Sequence, residues 1–126
     1  MVSGGFSIIH VGHIRLIQSA AEFGNVIVAL NSDEWLSRKQ ESPQVPWIER
    51  AEVLMALRHV TGVFLVEARD GTVCEALGNR RPDYFANGGD RTQANESEHA
   101  VCERLGIAEL FGVGGGKVRS SREFIR

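Results

Sequence analysis

Two histidines near the start of the sequence, His10 and His13, have the types and spacing most suited to chemistry. They are three positions apart, and Gly12 lies between them. If a helix begins there, both rings project to one side of its N-terminal end, where backbone amides and the helix dipole favour an anion. Imidazoles add directional hydrogen-bond donors, and glycine lets a phosphate approach the backbone. The segment predicts a phosphate-binding site; the alternative is a pair of histidines that only cap the helix.

The elements that must position this segment alternate between short β-branched runs and stretches of helical spacing. This alternation predicts an α/β fold: a Rossmann-like, doubly wound, five-stranded parallel sheet with helices on both faces. The predicted strands are residues 1–3, 26–30, 63–66, 83–86 and 110–113. The predicted helices are residues 12–24, 48–60, 72–77 and 94–105, with a last helix from residue 120. In such sheets ligands bind beyond the carboxyl ends of the strands.

Length and composition limit the alternatives. With 126 residues, 43% of them hydrophobic, and a formal net charge of -2, the chain predicts one ordered domain over residues 1–126. We expect no nucleic-acid partner because there is no long basic run, and no membrane partner because the longest apolar run is residues 26–30. The two cysteines have no CxxC partner, so neither a disulfide nor a zinc site is predicted. We expect a cytoplasmic protein.

The segment His10-Val11-Gly12-His13, preceded by Gly4-Gly5-Phe6, resembles the HxGH signature of cytidylyltransferase-like nucleotidyltransferases. The similarity extends along nearly the whole chain. The members that the chain resembles include enzymes that act on glycerol phosphate and on heptose phosphate. Further segments that resemble family motifs are Asn31-Ser32-Asp33, Trp47-Ile48-Glu49-Arg50, Asn87-Gly88-Gly89-Asp90 and Val118-Arg119-Ser120-Ser121. A P-loop is excluded because Val118 follows Lys117 where that motif requires Ser or Thr.

The resemblance implies roles for individual residues. His10, His13 and Lys39 would be catalytic, binding the triphosphate and stabilising charge at the α-phosphate. The nucleotide would be bound by Gly5, Phe6, Gly12, Gly88, Asp90, Ser120 and Ser121. Asp33, Arg50 and Ser7 would lie on the acceptor side, with Ser7 at the position where the family normally carries Asp. Residues alone leave other interpretations open: Asp33, Ser120 and Ser121 as helix caps, and Lys39 and Arg50 as solvated surface charges.

The implied reaction transfers AMP or CMP from ATP or CTP to a phosphorylated sugar or polyol and releases pyrophosphate. The implied cofactor is Mg²⁺ carried with the nucleoside triphosphate, and no protein metal site is expected. The implied partners are the triphosphate, the phosphorylated acceptor and a second copy in a homodimer. Two alternatives remain: a nucleotide-binding or sensor protein with weakened catalysis, indicated by Ser7, and transfer to a phosphopantetheine or nicotinamide nucleotide.

Overall fold

Five strands and five α-helices, two of the helices in succession, form the regular structure of the described part of the chain. The computed structural model describes residues 1–39, 45–67, 69, 70, 72–88 and 95–115, with the backbone only at Lys39. The strands are β1 (Val2–Gly4), β2 (Val26–Asn31), β3 (Val60–Val66), β4 (Tyr84–Gly88) and β5 (Ala108–Val113). The helices are α1 (Val11–Ala20), α2 (Asp33–Lys39), α3 (Trp47–Met55), α4 (Cys74–Arg80) and α5 (Glu96–Leu105), with a 3-10 turn (Ala21–Phe23) after α1.

The strands form two parallel ladders that meet at Met1. One ladder has the order β1-β2-β3 and the other joins β4 to β5. The Met1 amino group donates to the Tyr84 carbonyl (2.7 Å), and the Ala86 N–H donates to the Met1 carbonyl (2.9 Å). This is the parallel pattern, with Met1 opposite Phe85. The strand order is therefore β3-β2-β1-β4-β5, which reverses direction between β1 and β4 and creates a topological switch point there.

Alternating side chains along the strands divide the core into two layers. Val28 and Leu30 of β2 pack with Ile17 of α1 and Leu54 of α3 on one face. Ala29 of the same strand packs on the other face, in a cluster to which Leu77 of α4 and Cys102 of α5 belong. Strand side chains point to opposite faces with period two, so the predicted doubly wound arrangement with helices on both faces is confirmed.

The predicted helix over residues 48–60 is too long at its C-terminal end. The helix stops at Met55, and Val60 instead begins β3, which the sequence placed only at residues 63–66. Val60 pairs with Val26, and the neighbouring Thr61 hydroxyl donates to the Val26 carbonyl at 2.9 Å. The spacing of apolar residues near Val60 fits either a helix or a strand, and it is the pairing with β2 that makes this segment a strand.

Helix α2 was not predicted, although its start was expected to be a turn or cap. Ser32 begins it, since the Ser32 hydroxyl accepts the Trp35 N–H at 3.1 Å. Serine is a strong N-cap because its oxygen satisfies an orphan amide of the first turn. The helix starts directly at the carboxyl end of β2 and so brings Asp33 to the predicted ligand edge of the sheet. In the part of the chain that is described, no helix is long and apolar enough to span a membrane.

Candidate functional site

His10 and His13 together cap the N-terminus of α1. His10 is the N-cap residue, and its Nδ1 accepts the Gly12 N–H at 3.1 Å. His13 reaches back, and its Nδ1 accepts the His10 N–H at 3.2 Å. This reciprocal arrangement is a capping box built from two imidazoles instead of Ser and Glu. The two rings stack with centroids 3.8 Å apart and 22° between their planes.

The two cap bonds determine which ring nitrogens can donate to a ligand. A nitrogen that accepts a backbone N–H cannot itself carry a proton, so each neutral ring must hold its proton on Nε2. Each ring therefore carries its N–H on Nε2, at the end of a helix whose dipole already favours an anion. Capping and ligand binding are compatible in this geometry, because they use different nitrogens of the same rings.

His13 is held neutral at physiological pH. Burial of the ring, with a smaller contribution from the neighbouring His10, lowers the pKa of His13 from 6.5 to about 4. The His10 ring, stacked 3.8 Å away, disfavours a charge on His13, since like charges repel and burial removes water. His13 thus offers a hydrogen-bond donor without a fixed positive charge.

This lowered pKa predicts a loss of stability in acid. Between pH 6.5 and about 4 the unfolded chain protonates His13 while the folded protein does not. Stability contributed by the neutral ring is therefore present above pH 6.5 and decreases as the pH falls through about 4. Urea unfolding at pH 7 and at lower pH measures the free energy of unfolding, which should fall more steeply with pH for the wild type than for His13→Gln. Glutamine does not titrate in this range and keeps a side-chain acceptor at the N3 position of the helix. Parallel decreases in both proteins would contradict this assignment.

Gly12 and the preceding turn give the histidines their room. A Cβ on Gly12 would lie 3.0 Å from Cε1 and 3.1 Å from Nδ1 of His10, so glycine allows that ring to fold back onto the helix end. Phe6 is buried and has a backbone φ of +49°. The centroid of its ring lies 4.8 Å from that of the His13 ring. A Cβ on Gly5 would meet Leu36 at 2.7 Å. Each of these predicted nucleotide-binding residues is therefore also required for the packing of the turn.

Arg50 is buried beneath the same turn and paired with Asp33. Only 2% of Arg50 is exposed, and its Nη2 lies 2.6 Å from Oδ1 of Asp33, whose side chain is 46% exposed. Nη1 donates to the carbonyls of Gly5 (2.7 Å) and Asn31 (2.9 Å), and Nε donates to that of Val45 (2.8 Å). The interpretation of Arg50 as a solvated surface charge is wrong, because its donors tie together the ends of β1 and β2.

The N-terminal half of α1 touches the ends of β4 and β5 through glycines. A Cβ on Gly88, at the end of β4, would lie 2.9 Å from the Leu16 side chain. A Cβ on Gly114, which has φ of +86°, would lie 2.8 Å from the Leu16 backbone nitrogen. Gly88 was expected beside the ribose or base, and the structure places it against α1, one turn from His13.

Comparisons with known proteins identify the family. A profile described as Cytidylyltransferase-like matches residues 1–111. The chain is 35% identical over 118 residues to the Bifunctional protein HldE of Koribacter versatilis, covering 91% of this chain and 22% of that protein. It is 37% identical over 93 residues to the FAD synthase of Pyrococcus abyssi, covering 72% of this chain and 62% of that protein. The chain belongs to the cytidylyltransferase-like family.

Further matches agree with this family assignment. The FAD synthase of Pyrococcus horikoshii is 36% identical over 110 residues, with coverage of 85% of this chain and 73% of that enzyme. A solved structure, the lipopolysaccharide core biosynthesis protein of Thermoplasma volcanium, has a TM-score of 0.71 and covers 89% of this chain and 91% of its own. At 21% identity, this last match supports the fold alone. The chain spans only part of HldE and of the Pyrococcus abyssi enzyme.

Several residues predicted from the resemblance to this cytidylyltransferase-like family lie outside the described structure. These are Asp90, Ser120, Ser121 and the side chain of Lys39. Ser7 is described and lies half-buried in the turn between β1 and α1. Within the described part of the chain, the structure thus brings together the histidine pair, the glycines of the turn and the Asp33–Arg50 pair at one edge of the sheet.

Sequence reasoning did not predict the burial of one polar residue at this edge. Asn87, next to Gly88 in β4, is 5% exposed and carries a buried side-chain nitrogen. From the resemblance, Asn87 belongs to the glycine-rich loop motif and stands where several sugar-phosphate relatives have Lys. A signal was nevertheless present: a buried strand that begins Tyr84-Phe85-Ala86 continues with an amide side chain at a position where an apolar one is expected.

Proposed function

We propose that this protein transfers a nucleoside monophosphate from a nucleoside triphosphate to a small phosphorylated acceptor and releases pyrophosphate. The observation that carries the proposal is the stacked histidine pair at the N-terminus of α1, whose capping bonds at Nδ1 place the proton of each ring on Nε2. The pair lies after β1, beside the topological switch point where α/β sheets bind their ligands. Family membership supports a nucleotide as the ligand.

The geometry suits positioning and charge stabilisation rather than covalent catalysis. The acceptor oxygen would attack the α-phosphorus in line, and the two Nε2–H donors would stabilise charge that develops on the phosphate oxygens and on departing pyrophosphate. Their proton positions are fixed before the substrate binds, because the Nδ1 atoms are engaged with the backbone. Such preorganised donors need no reorganisation during the reaction, which is why they lower the barrier.

We favour ATP as the nucleotide donor. The favoured acceptors are phosphorylated sugars, phosphorylated polyols and nucleotides. Similarity to FAD synthases supports ATP over CTP, since FAD contains an adenylyl group. Two classes of acceptor fit the proposal: a sugar or polyol phosphate, and a mononucleotide.

We propose that Mg²⁺ enters with the triphosphate. Among the described residues, no group of three or more His, Cys, Asp and Glu side chains could hold a metal. The chain's own polar groups at the site suit the triphosphate oxygens instead, because the histidine pair presents donors and Asp33 is already paired with Arg50. Magnesium generally retains water and substrate phosphates as ligands, and it would neutralise the triphosphate charge.

Pyrophosphate release tests the proposal. The protein is incubated with Mg²⁺, each of four nucleoside triphosphates, and a panel of sugar phosphates, polyol phosphates, phosphopantetheine, and flavin and nicotinamide mononucleotides. We expect release that requires both a triphosphate and one acceptor class. Calorimetry measures triphosphate binding in parallel. Binding without release under every condition would favour the sensor alternative, and the absence of binding would contradict both.

A further inference from the structure

Phe6 combines a strained backbone with a buried ring. Its φ is +49°, in the left-handed region that residues with a side chain rarely adopt. Strained residues persist only where the surrounding structure holds them, and they cluster at functional sites. Arg81, the other described non-glycine residue with a positive φ, ends α4, and helices commonly end in this conformation. The strain at Phe6, in the turn after β1, therefore requires an explanation of its own.

Three contacts hold Phe6 in this conformation. The carbonyl of the preceding residue, Gly5, accepts a hydrogen bond from Nη1 of the buried Arg50 at 2.7 Å. The Phe6 ring belongs to the core layer that contains Ile17 of α1. The ring also lies over Gly4, where an added Cβ would be 3.2 Å from its Cε2. Its position is therefore fixed, and with 5% of the residue exposed it offers little surface to a nucleotide.

The fixed ring of Phe6 contacts His13. The centroids of the two rings are 4.8 Å apart and their planes are inclined by 54°, a geometry that aromatic pairs prefer. Nδ1 of His13 accepts the His10 N–H at 3.2 Å, at the long end of the usual range for such bonds. Because one long hydrogen bond restrains a ring only weakly, the contact with Phe6 adds to the restraint on the imidazole.

We propose that Phe6 is a positioning residue, which fixes the orientation of the His13 imidazole and shields it from water. The catalytic consequence rests on the proposed function. A fixed ring keeps Nδ1 directed at the His10 N–H, so that the proton stays on Nε2. Burial is the main cause that lowers the pKa of His13 to about 4, and an apolar ring beside it excludes water. Phe6 therefore acts on the reaction through His13.

Phe6→Leu tests this inference, because leucine keeps an apolar side chain in the core and removes the aromatic ring. Nitrogen NMR of isotope-labelled histidines measures the pKa of His13 and shows which ring nitrogen carries the proton. We expect the pKa to rise from about 4 toward 6.5, and part of the population to carry the proton on Nδ1. Pyrophosphate release should fall about tenfold or more, since a small displacement of a catalytic group has an effect of this size.

Phe85→Leu is the matched control. Phe85 is also buried, with 1% exposed, but it packs in the layer of α4 and α5 on the other face of the sheet. This variant should lower the melting temperature and leave the His13 pKa, its proton position and pyrophosphate release at wild-type values. Phe6→Met carries the same prediction as Phe6→Leu. Methionine adapts to irregular space, so the test does not depend on one variant folding.

Two outcomes would overturn the inference. The first is a His13 pKa and proton position in Phe6→Leu and Phe6→Met that match the wild type. The second is an equal change in Phe85→Leu, which would make lower stability the cause. The NMR comparison needs no turnover. A wild type that releases no pyrophosphate with any donor and acceptor would remove the proposed function and leave this comparison intact, so the two failures are distinguishable.

Discussion

His10→Asn should lower turnover by about a hundredfold or more while leaving α1 nearly as stable as in the wild type. The oxygen of an asparagine side chain can accept the Gly12 N–H that Nδ1 of His10 accepts at 3.1 Å, and asparagine is a preferred N-cap. The variant retains the cap and loses the Nε2–H donor, whose removal has an effect of this size when the donor faces the transition state. Pyrophosphate release and urea unfolding measure the two properties separately.

His10→Ala is the matched control for this separation. It removes both the donor and the cap, so we expect the same loss of turnover plus a decrease of about 1 kcal/mol in the free energy of unfolding. If the histidines only cap the helix, His10→Asn will instead retain near-normal turnover. That result would eliminate the catalytic role while leaving the structural description of α1 intact.

Arg50→Met should lower the free energy of unfolding by about 3 kcal/mol or more. The guanidinium donates to the carbonyls of Gly5, Asn31 and Val45 and pairs with Asp33. Methionine fills much of the volume but supplies no donor, so the buried carbonyls lose their partner. Urea unfolding measures the decrease, and turnover should fall with it because the turn ahead of α1 is no longer held.

Two further variants test whether the effect of Arg50→Met comes from the buried, planar group of donors of Arg50. Arg58→Met changes an exposed arginine just after α3 and should alter stability by less than about 0.5 kcal/mol. Arg50→Lys should lie between wild type and Arg50→Met, since an ammonium is a point charge and cannot match the planar fork of donors. If Arg50 instead bound the acceptor phosphate directly, Arg50→Met would raise the KM for the acceptor and leave the unfolding midpoint unchanged.

The layout of the fold could be predicted because it depends on local patterns. Short β-branched runs separated by helical spacing are visible without any tertiary information, and they gave the parallel sheet and the histidine segment at the start of α1. The boundary at Val60 could not be obtained this way. Its apolar spacing continues that of α3, and only its pairing with Val26 of β2 assigns it to a strand.

The site could be predicted where the type and spacing of individual residues indicate their chemistry. The HxGH spacing indicates two histidines at one helix end, but their mutual capping depends on ring orientation. Burial of Arg50 was unpredictable for a similar reason, since its three carbonyl partners come from separate segments of the chain. The burial of Asn87 likewise depends on packing around β4 that the glycine-rich motif does not reveal.

The contacts of α1 with Gly88 and Gly114 have a consequence for the size of the ligand. Backbone atoms of Leu16 lie so close to Gly114 that no side chain fits between them. The helix cannot slide toward β5 or tilt into the sheet without a collision of main chains. The distance from the histidines to the ends of β4 and β5 is therefore set by the main chain, and a ligand that bridges the two must have a matching length.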